Sequence, residues 1–471
     1  MTFEERLAAV RPHRRQINFQ SLEFYAFVHF TVNTFTGREW GDGTEAPAIF
    51  DPAELDAGRW VEAVKSAGMR GLILTCKHHD GFCLWPSKYT THTVAYSPYK
   101  NGKGDIVGEV AEACAEGGIK FGVYISPWDR NCPKYGSGKE YDDFFVGQLT
   151  ELLTGYGDIF TVWFDGACGE GPDGRKQYYD WDRYYSVIRR LQPDACINVC
   201  GPDIRWCGNE AGHTRPSEWS VVPARTRDTE KIQSESQKQD DNTFRQRKIS
   251  AWDMDLGSRE LLKNEPDLVW YPAEVNTSIR PGWFYHESED DKVKPLTELQ
   301  NIYINSVGGN ATFLLNIPPT PRGLFHDNDT ARLRELGNFI KSSFSDNLLK
   351  SAALSSDFEK EEYSVNNIRE DDYRECFIPA RKDCTICAEW TAPVDIGYIV
   401  IKENIELGQR VESFVIEAET SSEYHEIYRG TVIGYKRIVP VNLKADRIRI
   451  RFTESRTEPA ISFLGVYRNI R

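Results

Sequence analysis

Between Phe24 and Cys200 the chain repeats one pattern: an amphipathic segment of helical period, a glycine-marked turn, a short apolar run, and polar residues where that run ends. "DPAELDAGRWVEAVKSAGMR" leads into "GLILTCKHHDG", and "GDIVGEVAEACAEGGI" into "KFGVYISPWDR". "EYDDFFVGQLTELLTGYGDI" leads into "FTVWFDGACGEG", and "YYDWDRYYSVIRRLQPDA" into "CINVCG". Near-continuous apolar strands alternating with helices imply a parallel sheet covered on both faces. Polar residues gathered at strand C-termini belong to the C-terminal face of a (β/α)8 barrel or to the switch point of a doubly wound sheet. No glycine-rich nucleotide fingerprint follows the first strand, "FYAFVHF". "GKGDIVGEV" at Gly102 has no strand before it and reads as the start of a helix. The barrel is therefore the predicted fold.

From Gly201 to Asp267 the period weakens, and the polar run "TRDTEKIQSESQKQDDNTFRQRK" reads as an excursion over a site. "LVWYPAEVNTSI" and "ATFLLNIPPTPRG" resume the pattern as late barrel strands, and "HDNDTARLRELGNFIKSSF" is a predicted helix. Past Leu348 the texture changes to short alternating strands: "RECFIPA", "CTICAEWTA", "IGYIVIKENI", "ESFVIEAET", "RIVPVNL", "DRIRIRFTES" and "ISFLGVY". Alternation at that spacing predicts an antiparallel β-sandwich of about 120 residues. The change falls near "SFSDNLLKSAALSS", which divides the chain into residues 1–345 and 346–471. The fold class is α/β, a (β/α)8-like (TIM) barrel followed by an all-β antiparallel sandwich, and 471 residues suffice for both.

A net charge of −14 argues against nucleic acid or an anionic membrane as partner, because either needs a clustered basic face. No stretch reaches eighteen apolar residues, so no membrane span is expected. The N-terminal "MTFEERLAAVRPHRRQ" is charged and amphipathic, with no apolar leader. Eleven cysteines without metal-ligand spacing suggest a reducing compartment. The cytoplasm is favoured, with periplasm or secretion open to a chain whose signal has been removed. The one CxxC, Cys384 to Cys387, sits in a strand-like run without a second pair and reads as a buried structural pair rather than zinc ligation. Twelve tryptophans and 22 tyrosines suit both a large core and sugar-stacking platforms.

"TVWFDGACGEG" ends a buried strand in Asp165, flanked by Trp163. A carboxylate there either caps the following turn or is aimed into a pocket. "RWCGNEAGHTRPSEW" offers Glu210 and Glu218 on a later loop. Two carboxylates converging from neighbouring loops are what glycoside hydrolysis needs, one ionised and one protonated. In "KHHDG", His78 and His79 are adjacent, so both reach one pocket only where the strand bends open. They can serve as a metal site, a satisfied structural pair, or hydrogen-bonding partners of a polyol. His29, ending the first strand, points to the same rim or into the core. In "TGREWGDG", Glu39 and Trp40 pair an acceptor for hydroxyls with an indole for an apolar sugar face, or merely decorate a loop.

Together "FVHFTVNTFTGREWGDG", "KHHDGFCLWPSKYT", "FGVYISPWDRN", "VWFDG", "GNEAG" and "FLLNIPPTPRG" resemble the α-L-fucosidases of glycoside hydrolase family 29, in that family's order from about Phe24 to Leu324. The resemblance implies a retaining, exo-acting hydrolase on a (β/α)8-like barrel with a C-terminal β-sandwich. It assigns Asp165 as nucleophile. Glu210 of "GNEAG" becomes the acid/base of the subfamily that cleaves α-1,3 and α-1,4 branches of Lewis-type oligosaccharides, with Glu218 its local rival. His29, Glu39, Trp40, His78, His79 and Tyr124 match positions that hold fucose hydroxyls. Trp163 and Trp283 of "SIRPGWFYH" supply aromatic wall, Trp283 toward the fucose methyl. Retention places the two carboxyls roughly 5 to 5.5 Å apart, close enough for Asp165 to keep Glu210 protonated. The implied partner is a fucosylated oligosaccharide or glycoconjugate, and neither cofactor nor metal is expected. The alternatives are a non-catalytic carbohydrate-binding protein on a degenerate barrel, a fucosidase of broader linkage preference, and a metal-dependent hydrolase using the histidine pair. The sandwich names no ligand, and shielding the barrel's flank is an equal reading of it.

Overall fold

The computed structural model describes residues 2–237, 254–420 and 423–468. The barrel begins with β1 (Phe24–Val28), β2 (Gly71–Lys77), β3 (Lys120–Ile125), β4 (Ile159–Phe164), β5 (Cys196–Val199) and β6 (Arg205–Trp206). Two short strands, β7 (Val221–Pro223) and β8 (Leu268–Trp270), pair only with each other. β9 (Ala273–Ser278) and β10 (Ala311–Asn316) complete the barrel. Its eight strands pair in the order β5-β4-β3-β2-β1-β10-β9-β6, every ladder parallel. A parallel bridge between Asn198 and Ile204 brings the two edges together.

The helices predicted from the repeat form where their caps stand. Asp56, Asp105 and Asp180 each accept an N-terminal backbone N–H of the helices Ala57–Ser66, Ile106–Gly117 and Trp181–Leu191. Lys139–Gly155 and Asp327–Ser343 also form where predicted, and Leu296–Ser306 is a further helix between β9 and β10. β5 passes to β6 with no helix between them, and Val199 at that reversal takes φ 64°, a strained conformation for a β-branched residue. The expected strand "LVWYPAEVNTSI" is interrupted at Pro272, which separates β8 from β9. The polar excursion begins as a helix, Thr229–Glu235, and its part from residue 238 to 248 lies outside the described residues.

Alternation along the strands sorts side chains into two cores. Phe24, Ala26 and Val28 join the layer under the helices, whereas Tyr25 and Phe27 join Tyr124, Trp163 and Leu314 inside the barrel. Continuing the same register aims Asp165 inward, one residue past Phe164 of the outer layer. In β2 the register shifts between Thr75 and Lys77, so Cys76 and Lys77 both pack on the outer side. That shift lets the next two residues turn to the pocket.

The C-terminal part is antiparallel: β11 (Ala353–Ser356), β12 (Cys384–Glu403), β13 (Val411–Thr420), β14 (Glu423–Gly430), β15 (Arg437–Ser455) and β16 (Ile461–Tyr467). The expected pairs of short strands "CTICAEWTA" and "IGYIVIKENI", and "RIVPVNL" and "DRIRIRFTES", are each one long strand, β12 and β15, whose mutual register slips at Glu389/Val394 and Ile396/Tyr398. The first half of β12 pairs with β11 and the second with β16, so the long strands serve both layers of the sandwich. "RECFIPA" makes only a bridge, Phe377 to Ile461. Cys384 and Cys387 are free thiols, the first in the sandwich core and the second half-buried; three residues apart on a strand, they face opposite sides and do not form the expected pair.

Candidate active site

The strand ends build the site one residue at a time. "KHHDG" is a folded unit. Lys77 is buried and bound to Asp129 Oδ2 at 3.0 Å and Gln148 Oε1 at 2.9 Å. Asp80 accepts Phe82 N–H at 2.7 Å and Thr31 Oγ1 at 3.0 Å. Burial raises its carboxyl to about 7 against those bonds. Gly81 takes φ 80°, and a Cβ there would run into the Asp129 carboxylate. Between these anchors His78 and His79 turn to the same cavity.

That cavity, about 580 Å³ of empty volume including its mouth, is lined by His29, Glu39, Trp40, His78, His79, Trp163, Asp165, Glu210 and Trp283. Tyr124 stands beside it, donating from its hydroxyl to Asp165 Oδ2 at 2.8 Å. Ten of the eleven candidate site residues named from the sequence thus meet at one place. Glu218, the alternative to Glu210, does not line the cavity. It is fully buried and bound by Arg205 at 2.6 Å and Arg215 at 3.2 Å. Burial pushes its carboxyl up, but the two guanidiniums overcome that and hold it at about 2. A carboxylate kept ionised in this way has no proton to give.

Burial favours the neutral form of His78 and His79. Burial, then the neighbouring rings of His79 and His29, push His78 well below the ordinary imidazole range. Burial, then Arg130, His29 and Lys77, push His79 to about 3. Their proton positions follow from their partners. Ser126 Oγ donates to Trp128 O at 2.7 Å, so at its 2.7 Å contact with His79 it accepts from Nδ1. His79 Nε2 then presents a lone pair, 3.6 Å from Asp165 Oδ2. Likewise His29 Nδ1 donates to Asn316 Oδ1 at 2.8 Å, Asn316 Nδ2 being committed to Ser278 Oγ and Trp283 O. Imidazoles that give their protons to the protein and turn acceptors to a cavity select a ligand rich in hydroxyl donors.

Asp165 Oδ1 accepts Ala167 N–H at 2.7 Å. Burial raises its carboxyl, and the bonds from Ala167 N–H, the Tyr124 hydroxyl and Gly166 N–H oppose the rise. Glu210 accepts the Trp283 indole N–H at 2.9 Å. Glu39 proves to be a loop anchor as well as a wall: it accepts Trp283 N–H at 2.8 Å and Phe284 N–H at 3.2 Å and meets His286 Nε2 at 2.7 Å. Trp40 packs edge-on to His79, with ring centroids 5.3 Å apart. The ligand atoms of His78, His79 and Asp165 lie within 4.8 Å of one another, a donor set that a divalent metal could also use.

Other participants escaped sequence reasoning. Trp206 and Asn276 line the cavity and share a hydrogen bond of 3.0 Å; Ser236 and Gln237, in the polar excursion, close one side. Below the cavity the buried Glu274 accepts from Tyr25 at 2.5 Å, Trp163 Nε1 at 2.6 Å and Asn198 at 2.9 Å, and burial against those bonds raises it to about 7. The signal for it was present: Glu274, Asn276 and Ser278 alternate with Ala273, Val275 and Thr277, a strand with one polar face.

The α-L-fucosidase family model matches residues 13–343. Alpha-L-fucosidase 1 of Arabidopsis thaliana is 39% identical over 470 residues, covering 97% of this chain and 87% of that one. Among solved structures, a glycoside hydrolase 29 family member from an unknown rumen bacterium superposes with a TM-score of 0.81 at 37% identity, covering 98% and 78% of the two chains. A glycoside hydrolase family 29 fucosidase of Ruminococcus gnavus, solved in complex with fucose, gives a TM-score of 0.84 at 30% identity over 98% and 95%.

Proposed function

The chain belongs to the α-L-fucosidase family of glycoside hydrolases, and from that premise we propose that it releases terminal α-1,3- and α-1,4-linked fucose from Lewis-type oligosaccharides and glycoconjugates with retention of configuration. Asp165 attacks the anomeric carbon while Glu210 protonates the departing oxygen, giving a covalent fucosyl-enzyme. Glu210 then takes a proton from the water that resolves it. The observation that carries this reading is the cavity in which Asp165 and Glu210 share walls with three histidines and the indoles of Trp40, Trp163 and Trp283.

The sugar's hydroxyls donate to His29, His79 and the Asp165 side of the pocket, and Tyr124 favours the anion of Asp165 and aims it. Trp283 serves twice, as a wall toward the fucose methyl and as the donor that orients Glu210. A sugar lacking one hydroxyl leaves a buried acceptor unpaired and is rejected. We place the catalytic unit within residues 1–345 and the sandwich within 346–471.

Two measurements test the reading. Proton NMR of the first-formed sugar should show α-fucose before mutarotation; β-fucose would exclude a covalent fucosyl-enzyme. A panel of α-1,2, α-1,3, α-1,4 and α-1,6 fucosides should be cleaved at the α-1,3 and α-1,4 linkages, and equal cleavage of all four would replace the Lewis-type reading with a broad one. A second reading, metal-assisted hydrolysis, draws on the clustered ligand atoms of His78, His79 and Asp165. Dialysis against EDTA should leave activity unchanged, whereas loss that zinc restores would favour the metal.

A further inference from the structure

We infer that the C-terminal sandwich positions Glu210, by clamping the foot of the excursion that carries it; the inference rests on the reading of Glu210 as acid/base. β6 is two residues long, and no helix follows it before the chain leaves for Glu210, so this residue lacks the strand-and-helix backing of the other rim residues. The tip is tied to β9 by Cys207 N–H to Glu274 O at 3.0 Å and by an antiparallel bridge from Ala211 to Thr277. Asn209 Oδ1 closes the turn, accepting Ala211 N–H and His213 N–H. Trp283 Nε1 donates to Glu210 itself, and a further part of the hold is at the foot.

There the sandwich supplies the partners. Gln409, buried just before β13, accepts Ser220 N–H at 3.0 Å and Val221 N–H at 3.2 Å through one oxygen. Thr431, between β14 and β15, shares a hydrogen bond of 2.5 Å with Ser217. Asn310 Nδ2 donates to Glu218 O at 2.7 Å and Ser220 Oγ at 3.0 Å, while its Oδ1 accepts Tyr435 N–H at 2.7 Å. Ser217, Glu218, Ser220 and Val221, with Asn310, Gln409, Thr431 and Tyr435, therefore form one polar seam beneath the excursion, buried except at the half-buried Ser217–Thr431 pair. A general acid must stay within hydrogen-bond reach of the leaving oxygen, and a displacement of about 1 Å can lower the rate a hundredfold. Gln409 and Thr431 lie outside the cavity lining and act on Glu210 through this backbone; they are positioning residues.

The leaving group separates positioning of the acid from general damage. Gln409→Met and Thr431→Val keep size and lose the polar atom. With Glu210→Ala alongside, kcat/KM is measured on 2-chloro-4-nitrophenyl α-fucoside, whose leaving group needs no proton, and on a Lewis trisaccharide, whose leaving group does. We expect Gln409→Met to lose at least about fivefold on the trisaccharide and less than about twofold on the aryl fucoside. An equal loss on both, or none on either, overturns the inference. Should Gln409→Met fail to fold, Thr431→Val carries the same expectation and the same refutation. Equal damage to both substrates by Glu210→Ala overturns the acid/base reading and this inference with it. Selective damage by Glu210→Ala without any in the sandwich variants overturns the inference alone.

Discussion

At the scale of single residues, Asp165 and Tyr124 form the pair whose chemistry is most exposed to test. Asp165→Ala should lower turnover at least a thousandfold, on the order of 4 kcal/mol of barrier, by removing the covalent route. Azide should then restore product of inverted configuration; turnover near the wild-type value would eliminate the assignment. Tyr124→Phe probes the environment instead. Burial raises the Asp165 carboxyl and the Tyr124 hydroxyl is one of three donors that oppose the rise. Deleting it must raise the carboxyl further. Because attack needs the ionised form, the acidic limb of the kcat/KM profile should move to higher pH. An unmoved limb, or one displaced to lower pH, would show that Asp165 is not the group that titrates there.

At the scale of elements, "KHHDG" shows how a turn aims side chains. Gly81 at φ 80° lies against the Asp129 carboxylate, which also anchors Lys77 and the backbone of Asn131 and Cys132. Gly81→Ala adds about 1–2 kcal/mol of left-handed strain to a clash with that carboxylate. The expected result is a fall in Tm accompanied by a rise in KM, since His78 and His79 leave their positions; a KM unchanged at lowered Tm would separate the turn from binding. The strand ends were legible in the sequence because burial of a parallel sheet forces apolar runs, and polar residues can follow only where a run stops. The two histidines could be placed, but not the register shift before Lys77 that lets both face one pocket, because a bulge leaves no mark in composition. Glu274 was missed because a buried carboxylate reads as surface until its donors from β1, β4 and β5 are brought beside it by closure of the barrel. Glu218 stood as a rival of Glu210 in the sequence, since the guanidiniums that hold it are set by tertiary contact.

At the scale of the whole molecule, buried carboxylates tie the barrel to what surrounds it. Glu23, at the barrel's base, meets Lys436 at 2.8 Å and Lys402 at 3.5 Å from the sandwich, and these cations overcome burial to hold it at about 2. Glu218 is held at about 2 by Arg205 and Arg215 against the same opposition. For each, the folded value lies below the ordinary 4.5 of a glutamate. The stabilisation is therefore present in full above pH 4.5 and is lost as pH falls toward 2, on the order of 3 kcal/mol apiece. Asp80 and Glu274, both raised to about 7, run the other way, losing stability as pH rises from the ordinary carboxylate range toward 7. The total stability curve mixes both signs, and a difference between variants isolates one group. Glu218→Gln leaves two buried arginines facing a neutral amide, so at pH 6 it should be less stable than wild type by about 3–5 kcal/mol. Below the folded value wild-type Glu218 is neutral too, and the two proteins should converge. Calorimetry from pH 6 down to pH 2 reads the gap: one that closes across that window identifies Glu218 as an ionised anchor, and one that stays constant would mean that shape, not charge, holds the foot of the Glu210 excursion.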